Sequence, residues 1–274
     1  MIAQLSKTTC LVLVITSLIT GCRQEYKKDV DLLASSPDLQ TLPIPSDYAS
    51  GAIVAAGGLQ EWVKAAKLEL DGIVTLYQSD GSVYLTEQRY EIYPWSNSIR
   101  VSALEPQGEF ICELSQSSFR VLAGAEIVKT LPALVTERDL ADAILTITTA
   151  PVRFLDSSVK FTKASEPVKM QGQWYYPIER AYAVEQRTSA GSKRRDFKSP
   201  ESYWSKVVFY QNKDNSLVDM LWFASVGEKK FFAIRGYDYS RVQKRGVLLP
   251  AKIEIFRTDA RRVLPKRVAQ VSFK

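Results

Sequence analysis

The sequence contains no histidine. That absence removes the commonest general base near neutral pH, every Ser-His or Cys-His nucleophile pair, and the imidazole ligands usual for zinc and copper. Cysteine is nearly as scarce, with Cys10, Cys22 and Cys112 alone. Glycine-rich phosphate loops, a serine nucleophile elbow and clusters at metal-ligand spacing are missing too, so no cofactor and no metal is expected. Long apolar runs are also absent. The one candidate, Leu11 to Ile19, is already diluted by Thr16 and Ser17 and falls short of the roughly 20 residues a membrane-spanning helix needs. Catalysis by carboxylate, tyrosine or lysine remains open, but the expectation is a protein that is not an enzyme.

What is present near the N-terminus is the stretch CLVLVITSLITGCRQ, Cys10 to Gln24. Lys7 precedes its apolar part, and the small residues Thr20 and Gly21 end it, which is the layout of an export signal with a cleavage site. Ile19-Thr20-Gly21-Cys22 resembles the bacterial lipobox. That resemblance implies that residues 1–21 are a signal peptide and that Cys22 becomes a lipid-bearing N-terminus. An ordinary signal with a chance cysteine, or an N-terminal strand, is the plainer alternative. Arg23 stands where an inner-membrane retention signal typically places Asp. By the rule for enteric lipoproteins, that implies the outer membrane, facing the periplasm. Cys112 is then the remaining thiol, and an intrachain disulfide is excluded. Its place in the alternation Phe110-Cys112-Leu114 reads as a small buried hydrophobe.

Lysine and arginine outnumber acidic residues 36 to 30, and 46% of the chain is hydrophobic. This is a globular composition. The basic excess gathers late, at Lys193-Arg194-Arg195, Lys244-Arg245, Arg261-Arg262 and Lys266-Arg267. For an exported protein, a face toward anionic headgroups fits better than nucleic acid, and a merely solvated surface fits each pair as well.

Residues 22–47 are polar with scattered prolines and read as a tether. Extended, it would span about 80 Å, with a typical reach near 30 Å. Residues 48–274 then form one domain. Leu59, Trp62, Val63 and Ala66 fall on one face of a helix, and Gly57-Gly58 breaks the pattern, leaving one short helix before it and another after. From Leu68 the period becomes two, with a turn at Ser79-Asp80-Gly81. Further strands are expected at 83–93, 98–105, 109–114 and 118–123. A helix over 136–149 follows, started by the capping pair Thr136 and Asp139, with Leu140, Ile144 and Ile147 as its apolar stripe. After Pro151, strands are expected at 173–186, 203–211, 217–225, 230–238, 247–257 and 267–273, with a charged loop TSAGSKRRDFKSPES among them.

This order of helix, meander, helix and meander resembles the LolA/LolB lipoprotein-carrier superfamily, as do Gly57-Gly58-Leu59 with Trp62 and Gly246-Val247-Leu248-Leu249-Pro250. The resemblance implies an α+β, mostly β fold: a curved antiparallel half-barrel sheet covered on its concave face by a few helices. It also implies an apolar cavity for acyl chains or lipoproteins. Trp62, Val74, Leu76, Ile144 and Trp222 are the residues expected to bind lipid there. Packing alone is the alternative reading of those residues, and a closed core is the alternative to a cavity. Two further readings stay open. One is an envelope sensor or scaffold for a protein partner. The other is a carboxylate-based glycan hydrolase using Glu105, Glu109 and Glu113, for which two carboxyls about 5–9 Å apart would be required. Oligomeric state is not legible in the sequence.

Overall fold

The computed structural model describes residues 37, 39–42, 46–105, 110–115, 118–124, 134–157, 159–182, 204–225, 230–242, 246–261 and 266–274, all within the unit Ser36–Lys274. Residues 1–21, expected to be a signal peptide, Cys22, most of the expected tether 22–47, Glu109, the segment 188–202 expected to be a charged loop, and the basic residues at 193–195 and 244–245 lie outside the described residues.

Two short helices open the folded part, α1 (Asp47–Ala55) and α2 (Leu59–Lys64). The Gly57-Gly58 break between them takes φ of 110° and 91°, values that glycine adopts without steric cost. Five strands follow as a meander: β1 (Leu68–Tyr77), β2 (Val83–Tyr93), β3 (Ser98–Glu105), β4 (Phe110–Ser115) and β5 (Ser118–Ala123). In β1 the alternation is visible as burial: Leu68, Leu70, Val74 and Leu76 point inward, while Glu69 and Ile73 are exposed. At the β1–β2 turn, the Asp80 carboxylate accepts both the backbone N–H of Ser82 (2.9 Å) and its hydroxyl (2.7 Å).

The long helix α3 (Glu137–Arg153) comes next. Its start is the expected capping box: Thr136 Oγ1 accepts from the Asp139 N–H, and the Asp139 carboxylate accepts from the Thr136 N–H, both at 3.1 Å. It runs one turn beyond the expected end, through Pro151. The Thr148 and Thr149 hydroxyls donate to the carbonyls of Ile144 and Leu145 on the turn before that proline, each at 2.6 Å.

The second meander contains β6 (Val159–Lys163), β7 (Val168–Met170), β8 (Gln173–Tyr182), β9 (Trp204–Asn212), β10 (Val218–Ser225), β11 (Phe231–Arg241), β12 (Leu248–Arg257) and β13 (Lys266–Phe273). The last pairs antiparallel with β1. The result is a curved antiparallel sheet of thirteen strands in the order β5-β4-β3-β2-β1-β13-β12-β11-β10-β9-β8-β6, with β7 on the β8 edge. Because β5 and β6 do not pair, the sheet is unclosed.

β6 and β7 are additions to the expected strands. Val159 through Met170 shows mixed, largely exposed burial, so it carries no clean period-two signal. The β7–β8 turn uses φ of 48° at Gln171 and 86° at Gly172, the two-residue primed geometry that suits a twisted hairpin.

The topology dictates where α3 must lie. The first meander moves outward from β1 to one edge, and the second begins at the opposite edge and returns to β13 beside β1. The connection from β5 to β6 therefore crosses the whole sheet. α3 is that crossing, and it touches β3 and β4 on one side and β10, β11 and β12 on the other. Covering the concave face is thus a consequence of strand order combined with the apolar stripe of α3.

Candidate functional site

The inner face between the sheet and the helices gathers most of the apolar residues of the fold. Trp62, Val74, Leu76 and Ile144 are each 0% exposed and belong to one cluster, together with Leu140, Ile147, Ile253 and Val271. The sequence stripe on α3 and the inward positions of β1 thus meet as expected. α2 is pinned from outside by Trp95, whose indole N–H donates to the Trp62 carbonyl at 3.1 Å. At the far end of α3, Phe154 packs edge-on against Tyr48, Phe161 and Phe209, with ring centroids 5.6, 5.1 and 5.3 Å away.

Trp222 does not join the other four. On β10, Leu221 and Phe223 point into the inner cluster, so Trp222 between them faces outward. There it forms a second cluster with Tyr175, Val208, Tyr210, Met220, Ala224 and Ala233. A pocket of about 260 Å³ on this face is lined in part by Met170, Tyr210, Met220 and Trp222. Alternation shows that neighbouring aromatics take opposite faces, but the parity of each face is set by tertiary pairing.

Charged and polar groups enter the interior at positions the sequence did not single out. Asp142, on α3 beside the apolar stripe, accepts hydrogen bonds from Trp204 Nε1 and from Thr146 Oγ1. Burial pushes its carboxyl up to about 6, although those hydrogen bonds and the charges of Arg180 and Arg138 pull the other way. Arg153, in the last turn of α3, is drawn down to about 10 by burial, with nearby Arg180 adding to that effect and Asp156 opposing it. On the outer face, burial pushes Asp219 up to about 6 beside Asn212, whose amide donates to it at 3.3 Å.

The outer face continues as a line of cations against aromatic rings. Arg235 lies 5.0 Å and Lys252 5.4 Å from the Tyr237 ring centre, and Arg267 lies 4.7 Å from that of Tyr77. Glu254 sits among them, 3.0 Å from Lys252 and 2.6 Å from Arg267. Arg267, from the late basic excess, is therefore spent on a local ion pair.

Of the three glutamates considered for hydrolysis, Glu113 lies 3.6 Å from Arg120. Glu105 ends β3, but its side chain, like all of Glu109, is outside the described residues. Among the described residues, no group of three or more acidic or cysteine side chains is placed to hold a metal ion. Cys112 is buried, as its alternation implied, and is in no disulfide among the described residues. No helix among the described residues is long and apolar enough to cross a membrane.

No protein-family model matches this sequence, and no curated relative does either. Solved structures do resemble it. A LolA superfamily protein from Nitrosomonas europaea matches with a TM-score of 0.53 at 12% identity, over 85% of this chain and 92% of its own. An outer membrane lipoprotein-sorting protein domain from Vibrio parahaemolyticus matches with a TM-score of 0.43 at 8% identity, over 82% and 91%. A DUF1329 family protein from Desulfovibrio piger gives 0.43 at 10% identity, over 84% and 92%. The first likeness shows a shared fold: the chain has the LolA-like open half-barrel.

Proposed function

We propose that the protein is a non-enzymatic cell-envelope lipoprotein, anchored through Cys22, that binds acyl chains or the acylated ends of lipoproteins between its sheet and its helices. The observation that carries this reading is the inner face itself. One continuous apolar surface, including Trp62, Val74 and Leu76, is crossed by the long helix α3, with Ile144 facing the sheet. Such a surface binds a chain by burial alone. Each methylene withdrawn from water contributes about 0.8 kcal/mol, so ten of them contribute roughly 8 kcal/mol before the cost of moving α3. Trp222, on the outer face, would be a separate contact.

Native mass spectrometry of the protein released gently from membranes tests the reading. Co-purifying acylated species are expected, and their loss in a variant with bulk added on the inner face, Ala141→Trp, would link them to this site. A protein that is consistently empty and refuses acyl probes would overturn it. The anchor is tested by Cys22→Ser, which should abolish lipid labelling and membrane retention.

One observation favours a second reading, an envelope sensor or scaffold. Trp62, Val74, Leu76 and Ile144 are already shielded from solvent by the protein itself. A closed interior leaves the surfaces to do the binding. Crosslinking in intact cells separates the two, since a scaffold yields one dominant protein partner whether or not lipid is present.

A further inference from the structure

Methionine is rare in this chain. Met1 apart, it occurs only as Met170 and Met220, and both line the same pocket on the outer face. Met170 ends β7, and the β7–β8 turn adds Gln171 at the rim. Tyr210 on β9, Trp222 on β10 and Ala233 on β11 complete the walls. The register explains how they converge. Met220 pairs with Tyr210 and Trp222 with Ala233, so the sheet supplies two successive outward rows. Leu221, between those rows, belongs to the inner cluster, so the sheet itself separates this pocket from the proposed acyl site.

Size and chemistry both restrict what fits. The volume of about 260 Å³ is below the roughly 300–1,000 Å³ of pockets for drug-sized ligands, and it suits one ring. No lining residue is charged. The nearest charged neighbours along the strands are Asp219, before Met220, and Arg235, opposite it, and each is engaged already. Arg235 favours the ionised form of Asp219 and lies 5.0 Å from the Tyr237 ring centre. An ionised ligand would therefore lose its water without gaining a counter-charge.

The two rings of the pocket are held in place by others. Phe231 stacks on Trp222 with centroids 5.7 Å apart and 27° between the planes, and Tyr175 meets Tyr210 edge-on at 6.4 Å. Thioether sulfur makes favourable contacts with aromatic rings. Two methionines and two fixed rings around one space therefore favour an aromatic occupant over an aliphatic one of the same size. Gln171 is exposed, and its amide offers both a donor and an acceptor to a ring substituent.

From this arrangement we infer that the outer pocket is a second binding site, for one small uncharged aromatic ring bearing a single hydroxyl or N–H group, phenol- or indole-like. The ring lies among Met170, Met220, Tyr210 and Trp222, with its polar group toward Gln171. The site goes beyond the acyl-binding reading and does not depend on it.

The test uses the full chain with methyl-labelled methionine, since Met170 and Met220 both report on the pocket. The probes are phenol, cyclohexanol, benzoate and N-acetyltyrosinamide. Phenol should shift both methyl signals with a Kd of about 1 mM or below, at least about threefold tighter than cyclohexanol or benzoate. Met170→Leu, read through Met220, should lose about two- to tenfold for phenol and little for cyclohexanol. Ala233→Phe fills the space and should abolish the response. Met170 is only partly buried, so Met170→Leu keeps the fold should Ala233→Phe not. N-acetyltyrosinamide bound as well as phenol supports the site with the ring carried by a partner's side chain. Phenol bound without it supports the site with a free small aromatic. Unshifted methyl signals would overturn the inference. So would cyclohexanol or benzoate bound as tightly as phenol, or phenol affinity unchanged in the folded variants. None of these results bears on acyl binding, which monodecanoylglycerol probes separately at the inner face.

Discussion

Gly57 and Gly246 meet backbone to backbone, joining the α1–α2 break to the start of β12. A Cβ placed on Gly57 would lie 2.0 Å from the Gly246 carbonyl oxygen, and one on Gly246 would lie 2.5 Å from Glu61 Cγ. Two hydrogen bonds close the contact: the Gly246 N–H donates to Glu61 Oε2 at 3.1 Å, and the Leu248 N–H donates to the Ala56 carbonyl at 3.0 Å. The two short phrases that stood out in the sequence are therefore one structural unit. Gly57 is required by the closeness of the Gly246 backbone, and Gly246 by the Glu61 side chain packed against it.

Gly57→Ala should accordingly be among the most damaging single changes. It combines a clash with backbone that cannot swing away and a φ of 110°. We expect a loss of at least about 3 kcal/mol, above the usual range for point substitutions. Gly58→Ala is the control. Its φ is 91°, but nothing lies within 4 Å of an added Cβ, so backbone strain alone should cost about 1 kcal/mol. Urea unfolding of the two variants decides the matter, and equal losses would mean that the Gly57–Gly246 contact yields.

The start of α3 offers a smaller and cleaner effect. Thr136 is exposed and its hydroxyl serves the cap, so Thr136→Ala should cost about 1 kcal/mol with little repacking. Thr136→Ser keeps the oxygen and should recover most of it. Chemical denaturation of both variants reads the difference.

Much of this fold was legible because its forces are local and periodic. The β1 and β2 boundaries, the glycine break and the Thr136 cap each follow from a spacing or a turn residue close in sequence. Three features were hidden for physical reasons. Pro151 reads as a helix end, yet a proline in the last turn of α3 removes only one backbone bond there. Trp222 looks like any strand aromatic until the pairing of β10 with β9 and β11 fixes which parity faces inward. Gln78 and Gln88 look like solvent-facing residues in an alternating strand, because polarity normally marks the outer face. Only the β1–β2 register, which sets them on the same face as Leu76 and Val74, turns them inward.

Asp142 sets a pH dependence. Its carboxyl ordinarily titrates near 3.8, and burial raises it to about 6 in the folded protein. A raised acid binds its proton more readily folded than unfolded, so its contribution is fully present below the lower value and lost as pH rises through the higher one. Asp219, also raised to about 6, acts in the same direction. Asp142→Asn keeps an acceptor for Trp204 Nε1 but cannot ionise. Its stability relative to the wild type should therefore improve as pH rises from about 4 to about 7. Unfolding measured across that range checks this, and a constant difference would show that Asp142 is not the group responsible.

Ile144 tests how tightly α3 closes on the sheet. It is 0% exposed, and truncation to alanine leaves a cavity that close-packed neighbours fill only partly. Ile144→Ala should cost about 2–5 kcal/mol, whereas Ile73→Ala, at a 43% exposed position on the outer face of β1, should stay within about 0.5 kcal/mol. The space left by Ile144→Ala lies where an acyl chain is proposed to enter. Adding monodecanoylglycerol should then raise the unfolding midpoint of Ile144→Ala more than that of the wild type, because a ligand at free concentration L that binds the folded state alone stabilises it by RT ln(1 + L/Kd), and the added space lowers Kd. If Ile144→Ala unfolds like Ile73→Ala, α3 is loosely seated and the interior opens without it. If it is strongly destabilised yet indifferent to the ester, the space beneath α3 is packing and the chain binds elsewhere.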